Sequence, residues 1–231
     1  MFQKTIESWR IAALLGVTTV GFAAYIGTVF PTSNLGFPEG YGTAVIAFEF
    51  ARTPADVHAV FGPPDGLDRD TLSRMDWGNW LDFGFMAVYG AFLFAFHRAT
   101  VSIGSPSVAT LLGPVAAVCD AFENTILLGI TSDLSTMPGL PWLRLWVTLK
   151  FAALAVSAGV GGFTMLRTPH PAVRIGGAFA AGCGLVALLA LVAPDRLGEA
   201  LVSSIALAWA LFLTFAIGQS VRGSPSRFDR A

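Results

Sequence analysis

Residues 143–166 read LRLWVTLKFAALAVSAGVGGFTML, a run in which the only charged side chains are Arg144 and Lys150. An α-helix rises 1.5 Å per residue, so about 20 mainly apolar residues cross the hydrocarbon core of a bilayer, which is about 30 Å thick. The run is therefore long and apolar enough to span a membrane as one helix. Its composition predicts a helix that contacts lipid and other helices rather than water.

Five other stretches have the same character, and together they predict an all-α fold, a polytopic transmembrane helical bundle. The predicted spans are 11–30, 80–96, 108–130, 143–166, 173–192 and 197–217. Of the 231 residues, 54% are hydrophobic and 13% are charged, whereas about 25% are charged in an ordinary soluble domain. We predict one domain over residues 1–231. Only residues 193–196 separate the last two spans, so the sequence leaves open whether that hairpin crosses the membrane fully.

The longest polar segment, residues 32–79, lies between the first two spans and carries seven of the fifteen acidic residues. Within it, residues 41–51 are predicted to form a short, half-buried helix. Thr53 and Pro54 have the pattern of an N-cap followed by proline at the first helical position, and an amphipathic stripe follows them. We expect this segment to lie on the membrane surface or over the bundle.

The basic residues predict how the bundle is oriented. Eight Lys and Arg residues fall on the side of the termini, and five fall on the side of the 32–79 loop. Since cytoplasmic loops carry an excess of Lys and Arg, the termini are predicted to be cytoplasmic and the acidic loop to lie outside. A basic tail at Arg222, Arg227 and Arg230 is expected to contact anionic lipid. The predicted partner is membrane lipid, and the oligomeric state stays open.

The composition argues against several other functions. A net charge of −1 provides no basic face for a nucleic acid. Cys119 and Cys183 lie in apolar spans without the spacing of a zinc site, and the glycines of the fourth span lack the preceding strand that nucleotide binding requires. We therefore expect no metal and no cofactor. His58, His97 and His170 lie near predicted loops and are expected to be solvated.

Four ionisable residues fall inside the predicted spans: Asp82, Asp120, Glu123 and Lys150. A charge at the centre of a membrane helix costs about 2.5–3.5 kcal/mol, so such residues usually pair with one another or line a wet cavity. Glu123 and Lys150 are predicted to lie at equal depth, about 10 Å below the outer surface, on consecutive antiparallel helices. We predict an ion pair between them. Asp82 lies nearer the surface, where a solvated residue at a helix start is an equal alternative.

The spacing on the third span favours a shared polar site. Asp120, Glu123 and Asn124 stand at positions i, i+3 and i+4, so their side chains project from one helix face. Asn124 is expected to hydrogen-bond one of the two carboxylates. If Lys150 pairs with Glu123, Asp120 is expected to be the neutral acid of the site.

These residues predict a polar pocket in the outer half of the bundle, lined by spans two, three and four. The leading hypothesis is a protein that binds or translocates a small amphiphilic or lipid-like molecule there. Its predicted ligand-binding residues are Asp82, Tyr89, Asn124, Lys150 and Glu49. The second hypothesis is an intramembrane acid/base enzyme of the isomerase or cyclase type, with Asp120 and Glu123 as catalytic residues. The third is a structural or assembly subunit in which the charges hold the helices in register.

Overall fold

The computed structural model describes residues 2–31 and 36–222, and this part of the chain is helical without any strand. Its α-helices are α1 (Phe2–Val29), α2 (Ala44–Glu49), α3 (Pro54–Phe61), α4 (Arg69–Thr100), α5 (Leu112–Ser132), α6 (Leu140–Leu166), α7 (Pro171–Ala190) and α8 (Pro194–Arg222). The side chain of Arg222 and residues Arg227 and Arg230 lie outside the described part. The contact of the basic tail with lipid therefore stays a prediction.

Six helices, α1 and α4 to α8, are long and apolar enough to cross a membrane, as the sequence predicted. The chain is thus a helical bundle with the composition of a multi-pass membrane protein. The last hairpin consists of a helix of 20 residues and one of 29 residues. Since 20 helical residues extend about 30 Å, both helices of this hairpin are long enough to span.

The second membrane helix begins much earlier than predicted, at Arg69 instead of residue 80. The Asp68 side chain starts it as an N-cap, because it accepts hydrogen bonds from two backbone N–H groups of the first turn. Residues 69–79 of the predicted loop are therefore helical. Asp82 lies about 20 Å along this helix, so the alternative of a solvated residue at the helix start is wrong.

The segment between α1 and α4 packs against the bundle through α2, whereas residues 52–56 and 63–66 of the same segment are exposed. The helix expected over residues 41–51 forms as a 3-10 turn, Glu39–Tyr41, followed by α2. Five of the six residues of α2 are buried. The Phe50 ring, which follows α2, stacks on Phe151 of α6 with the ring centroids 5.8 Å apart. Non-helical backbone is tolerated at membrane depth only where protein buries it, and this packing provides that burial.

Helix α3 forms as its sequence pattern predicted. Thr53 and Asp56 make a capping box, in which each side chain accepts a hydrogen bond from the other's backbone N–H. The apolar stripe of Val57, Val60 and Phe61 is buried. The capped helix anchors the far end of α2 against the bundle, since Phe48 contacts the Phe61 ring edge-on at 4.8 Å.

The end of α1 is fastened to α4 by Arg74. Its guanidinium donates hydrogen bonds to the carbonyl oxygens of Val29 and Phe30, each at 3.0 Å. These are carbonyls of the last helical turn, which have no partner within the helix. The Phe30 ring lies directly over Gly78, where a side chain would collide with it. Helix α1 is therefore held along α4 at the end of the bundle that contains α2.

The prediction that His97 is solvated is wrong. Its ring is fully buried, because α4 continues past it to Thr100, and its Nε2 lies 2.8 Å from Ser157 Oγ of α6. Phe96 and Phe212 contact the imidazole ring edge-on. His170 is exposed, as expected, and His58 is half-buried with Nδ1 3.2 Å from the carbonyl oxygen of Gly62. The histidines therefore share no site.

Helices α6 and α7 pack at very short range through glycine. A Cβ on Gly162 would lie 2.6 Å from the carbonyl oxygen of Gly177 and would also collide with the backbone nitrogen of Ala181. Gly184 packs in the same way against the backbone of Ala155 and Gly159. Small residues allow two backbones to approach closely where lipid provides no hydrophobic driving force.

Gly162→Ala is expected to destabilise the protein by about 1–3 kcal/mol, because the added methyl group forces two packed backbones apart. The matched control is Gly159→Ala on the same helix, where an added Cβ meets no atom within 4 Å. Reversible unfolding in mixed micelles measures both variants. Equal stability of the two variants would contradict the close packing described here.

Candidate functional site

Lys150 is the centre of a buried ionic cluster. Its Nζ atom lies 2.7 Å from Glu123 Oε1, 3.2 Å from Asp120 Oδ1 and 3.2 Å from Glu49 Oε2. The Lys150 residue is 5% exposed, and Glu123 is fully buried. The predicted ion pair between Glu123 and Lys150 is confirmed, and two further acids contact the same ammonium group. This ammonium also lies 4.7 Å from the centroid of the Phe151 ring.

Helix geometry explains why these groups meet. Glu123 lies nine residues before the end of α5, and Lys150 lies ten residues after the start of α6. Both side chains are therefore about 14–15 Å from the connection between these helices. Asp120 lies one turn from Glu123 on the same face of α5. Glu49 joins them because it is the last residue of α2, the short helix that enters the bundle.

Asp120 is held on both of its oxygen atoms. Oδ1 accepts a hydrogen bond from Lys150 Nζ at 3.2 Å, and Oδ2 accepts one from Tyr89 OH at 2.8 Å. Two donors on two oxygens are the arrangement that stabilises an ionised carboxylate. The assignment of Asp120 as the neutral acid of the site stays a prediction.

Glu49 and Glu123 are better placed to hold a proton. Within the described residues, the Oε2 atom of each is buried and has no hydrogen-bond partner, although Glu49 Oε2 is within ion-pair distance of Lys150. Burial raises the pKa of the Glu49 carboxyl; the Lys150 ammonium opposes that rise, and the Asp120 carboxylate adds to it. A neutral form of Glu49 is therefore favoured more than it would be in water.

Asp82 belongs to the same polar region but contacts different groups. Its Oδ2 atom accepts a hydrogen bond from Asn124 Nδ2 at 2.6 Å. Asn124 therefore bridges to α4, whereas the sequence predicted a bond to Asp120 or Glu123 on its own helix. The two acids on its own helix lie four residues and one residue before Asn124, but its amide bonds to the acid on the facing helix instead. Among the residues that the structure describes, none places a cationic group within ion-pair distance of Asp82.

A cavity of about 250 Å³ lies beside this cluster. Its polar wall consists of Glu49, Asn79, Asp82, Tyr89, Asp120 and Lys150. Half of its twelve described apolar lining residues come from α1 and α8, namely Ala23, Ile26, Val202, Ile205, Ala206 and Trp209. The other half are Phe30 and residues of α2, α4 and α6. The sequence predicted a pocket between spans two, three and four; the cavity also uses the first and last membrane helices and α2.

Two of the predicted site residues do not line this cavity. Glu123 and Asn124 lie behind its wall, where they contact Lys150 and Asp82. Glu123 and Asn124 therefore position the side chains of Lys150 and Asp82, which line the cavity. Glu49, Asp82, Tyr89, Asp120 and Lys150, also predicted as site residues, all line the cavity.

Asn79 and Trp209 are lining residues that the sequence reasoning missed. Asn79 is 1% exposed, and its Nδ2 atom has no hydrogen-bond partner in the described part of the chain. A signal for it was present, because it precedes Asp82 by three residues and shares its helix face once α4 is known to begin at Arg69. Trp209 carries no such signal, since only the packing of α8 brings it to this wall.

Comparison of the chain with protein-family models, with curated proteins and with solved structures finds no match. The chemistry available to this site therefore follows from its geometry alone.

Lys150→Met is expected to destabilise the protein by about 3–5 kcal/mol, because the buried acids around it lose their ammonium partner. Adding Glu123→Gln to Lys150→Met is expected to restore part of this loss, since it removes one of the uncompensated acids. Unfolding of the single and double variants in mixed micelles measures both effects. A double variant less stable than Lys150→Met would contradict the arrangement.

Glu49→Gln is expected to gain stability relative to the wild type as the pH rises. The folded-state pKa of Glu49 is raised, so its protonated form favours folding; that contribution is fully present below the unfolded pKa and is lost as the pH rises through the folded pKa. The melting temperatures of both proteins are compared at about pH 4.5 and about pH 8 in the same detergent. An equal difference at the two pH values would show that Glu49 is not the group that titrates.

Proposed function

We propose that this protein binds a small amphiphilic or lipid-like molecule in the cavity beside Lys150, either to hold it or to move it across the membrane. The observation that supports the proposal is the composition of the cavity lining: α1 and α8 contribute only apolar and aromatic side chains, and six polar side chains come from α2, α4, α5 and α6. Its volume of about 250 Å³ is near the lower end of small-molecule sites, which are about 300–1,000 Å³. A polar head group with a short length of chain matches this size.

The cavity opens sideways between α1 and α8. Val202 and Ala206 line it, yet both are exposed on the outside of the bundle, with Val202 39% exposed. Ala23 of α1 faces them from the other side of the opening and is half-buried. In a membrane this surface contacts lipid chains, so the ligand would enter from the bilayer. A molecule that already partitions into lipid fits this route.

The distribution of basic residues supports an outward-facing cavity. The site lies in the half of the bundle that contains α2 and the 36–68 segment, on the side with five Lys and Arg residues rather than eight. By the positive-inside rule this side is outside and the termini are cytoplasmic. The site would then exchange ligand with the outer leaflet.

One observation favours acid/base chemistry as a second function. Glu49 lines the cavity, and its carboxyl group is buried with Oε2 3.2 Å from Lys150 Nζ. With its raised pKa, Glu49 is a better proton donor to a bound lipid-soluble substrate than Asp120, whose oxygens both accept hydrogen bonds. An isomerase or cyclase would donate this proton from Glu49 to one carbon of the substrate, and the resulting Glu49 carboxylate would take a proton from another carbon, which restores the acid.

A purely structural role is supported less well. Ion pairs that hold helices in register require neither a cavity beside them nor an opening to lipid. Within the described residues, the Asn79 amide nitrogen has no hydrogen-bond partner. An unsatisfied buried donor costs stability, so a purely structural role does not explain this residue.

Ala206→Trp is expected to reduce ligand binding about tenfold by filling the opening between α1 and α8. The probe is decanol with a photoactivatable group, and the measurement is the labelling of cavity peptides that excess unlabelled decanol competes away. Ala210→Trp is the matched control, because Ala210 is exposed one turn further along α8 and does not line the cavity. Competable labelling that is absent from the wild type, or unchanged in Ala206→Trp, would refute binding at this site.

A further inference from the structure

The acids around the cavity outnumber the cations. Four carboxyl groups surround the site, those of Glu49, Asp82, Asp120 and Glu123, and Lys150 provides one ammonium group. Lys150 contacts three of these acids and is not within ion-pair distance of Asp82. With protons on Glu49 and Glu123, Lys150 still compensates Asp120, and Asp82 is left without a cationic partner among the described residues. A cationic head group in the cavity would compensate Asp82, whereas an anionic one would be repelled by it.

Asp82 is the acid that is available to a ligand. It lines the cavity, and its one hydrogen bond to a described side chain uses Oδ2, with Asn124 as donor. Oδ1 accepts no hydrogen bond from the described residues, so the lone pairs of this oxygen can accept bonds from a ligand. Asn124 in turn fixes the orientation of the carboxyl group, because it is itself buried on α5.

Asn79 provides a second, independent polar group beside Asp82. It lines the same cavity one helical turn away, is 1% exposed, and has an amide nitrogen without a partner in the described chain. A buried amide without a hydrogen bond is costly unless a ligand or a water satisfies it. The Asn79 carbonyl oxygen can accept a hydrogen bond from an ammonium head group, whereas its amide nitrogen needs an acceptor, which a hydroxyl or ester oxygen next to that head, or a water, provides.

Three aromatic rings form the wall next to these groups. Trp209 lies 5.2 Å from Tyr89 and 6.1 Å from Phe85, measured between ring centroids, and all three residues line the cavity. Aromatic faces attract organic ammonium groups. A metal ion is disfavoured, since the described residues contain no group of His, Cys, Asp and Glu side chains arranged to hold one.

From this geometry we infer that the ligand is a lipophilic cation, with a protonated amine or quaternary ammonium head and an apolar chain, and that Asp82 is its counter-ion. The inference rests on the proposed function of the cavity. The ammonium head would lie between Asp82, Asn79 and the aromatic wall. The chain would lie against the apolar side chains of α1 and α8 and extend through the lateral opening.

The test uses three probes with one chain and different heads: decylamine, decanol and decanoate. Equilibrium dialysis at about pH 7, below the micellar range of each probe, measures their affinity for the full chain in a non-ionic detergent, and at this pH the amine is charged. Decylamine is expected to bind about tenfold more tightly than decanol, and decanoate to bind more weakly than either. If phosphatidylethanolamine competes with decylamine, the source of the ammonium group is a lipid head group. If it does not compete, the ligand is a free single-chain amine.

Asp82→Asn is expected to lower the affinity for decylamine about tenfold and to leave the affinity for decanol unchanged. Retained decanol binding also shows that the variant is folded. Asp70→Asn is the matched control, because Asp70 is exposed on the same helix and its loss removes the same charge. If Asp82→Asn does not fold, Trp209→Leu replaces it, with an expected loss of about threefold for decylamine only.

Two results would overturn the inference, and they are distinguishable. If decanol binds as tightly as decylamine and Asp82→Asn changes neither affinity, the cavity binds amphiphiles but does not select cations. If none of the three probes binds, and the photoactivatable decanol gives no competable labelling, the proposed function fails as well.

Discussion

The structure depends on one buried ammonium group that must be surrounded by carboxylates. Lys150 lies inside a helix of spanning length, where an unpaired charge is costly. Its three acidic partners come from α5 and from the end of α2, so neutralising it requires parts of the chain that are far apart in sequence. The loop between the first two membrane helices cannot stay on the surface if Glu49 is to reach this group. The charge thus explains why a polar segment enters an apolar bundle.

The cavity is a consequence of the same constraint. With α2 inside one half of the bundle, α1 and α8 close around that half without filling it, and a space remains beside the acids. Two hydrogen bonds, from Tyr89 to Asp120 and from Asn124 to Asp82, join α4 to α5 at the polar side of the cavity. The apolar helices provide the opposite wall. The cavity that we propose as a site for an amphiphile therefore lies where the buried ammonium group is neutralised.

The other half of the bundle differs in its packing. There the α6 and α7 backbones meet through Gly162 and Gly177 at a distance that admits no side chain. His97 and Ser157 form a separate polar pair with both residues fully buried, and neither lines the cavity described above. The close contact of the α6 and α7 backbones is a rigid part of the bundle, because atoms in such close contact leave no room for movement. The cavity beside α2 is where we propose that a ligand binds.

The amino-acid sequence alone determined the helical class, the six apolar helices, and the equal depth of Glu123 and Lys150, because length, hydrophobicity and helical rise are local properties of the chain. The spacing of Asp120 and Glu123 on one face follows from the same periodicity. Only the tertiary structure decided that Glu49 joins the cluster, that Asn124 bonds to Asp82, and that α1 and α8 form a wall of the cavity. Those contacts depend on how each helix is rotated about its axis and on where a loop enters the bundle. Packing among distant segments sets both, and no local pattern records it.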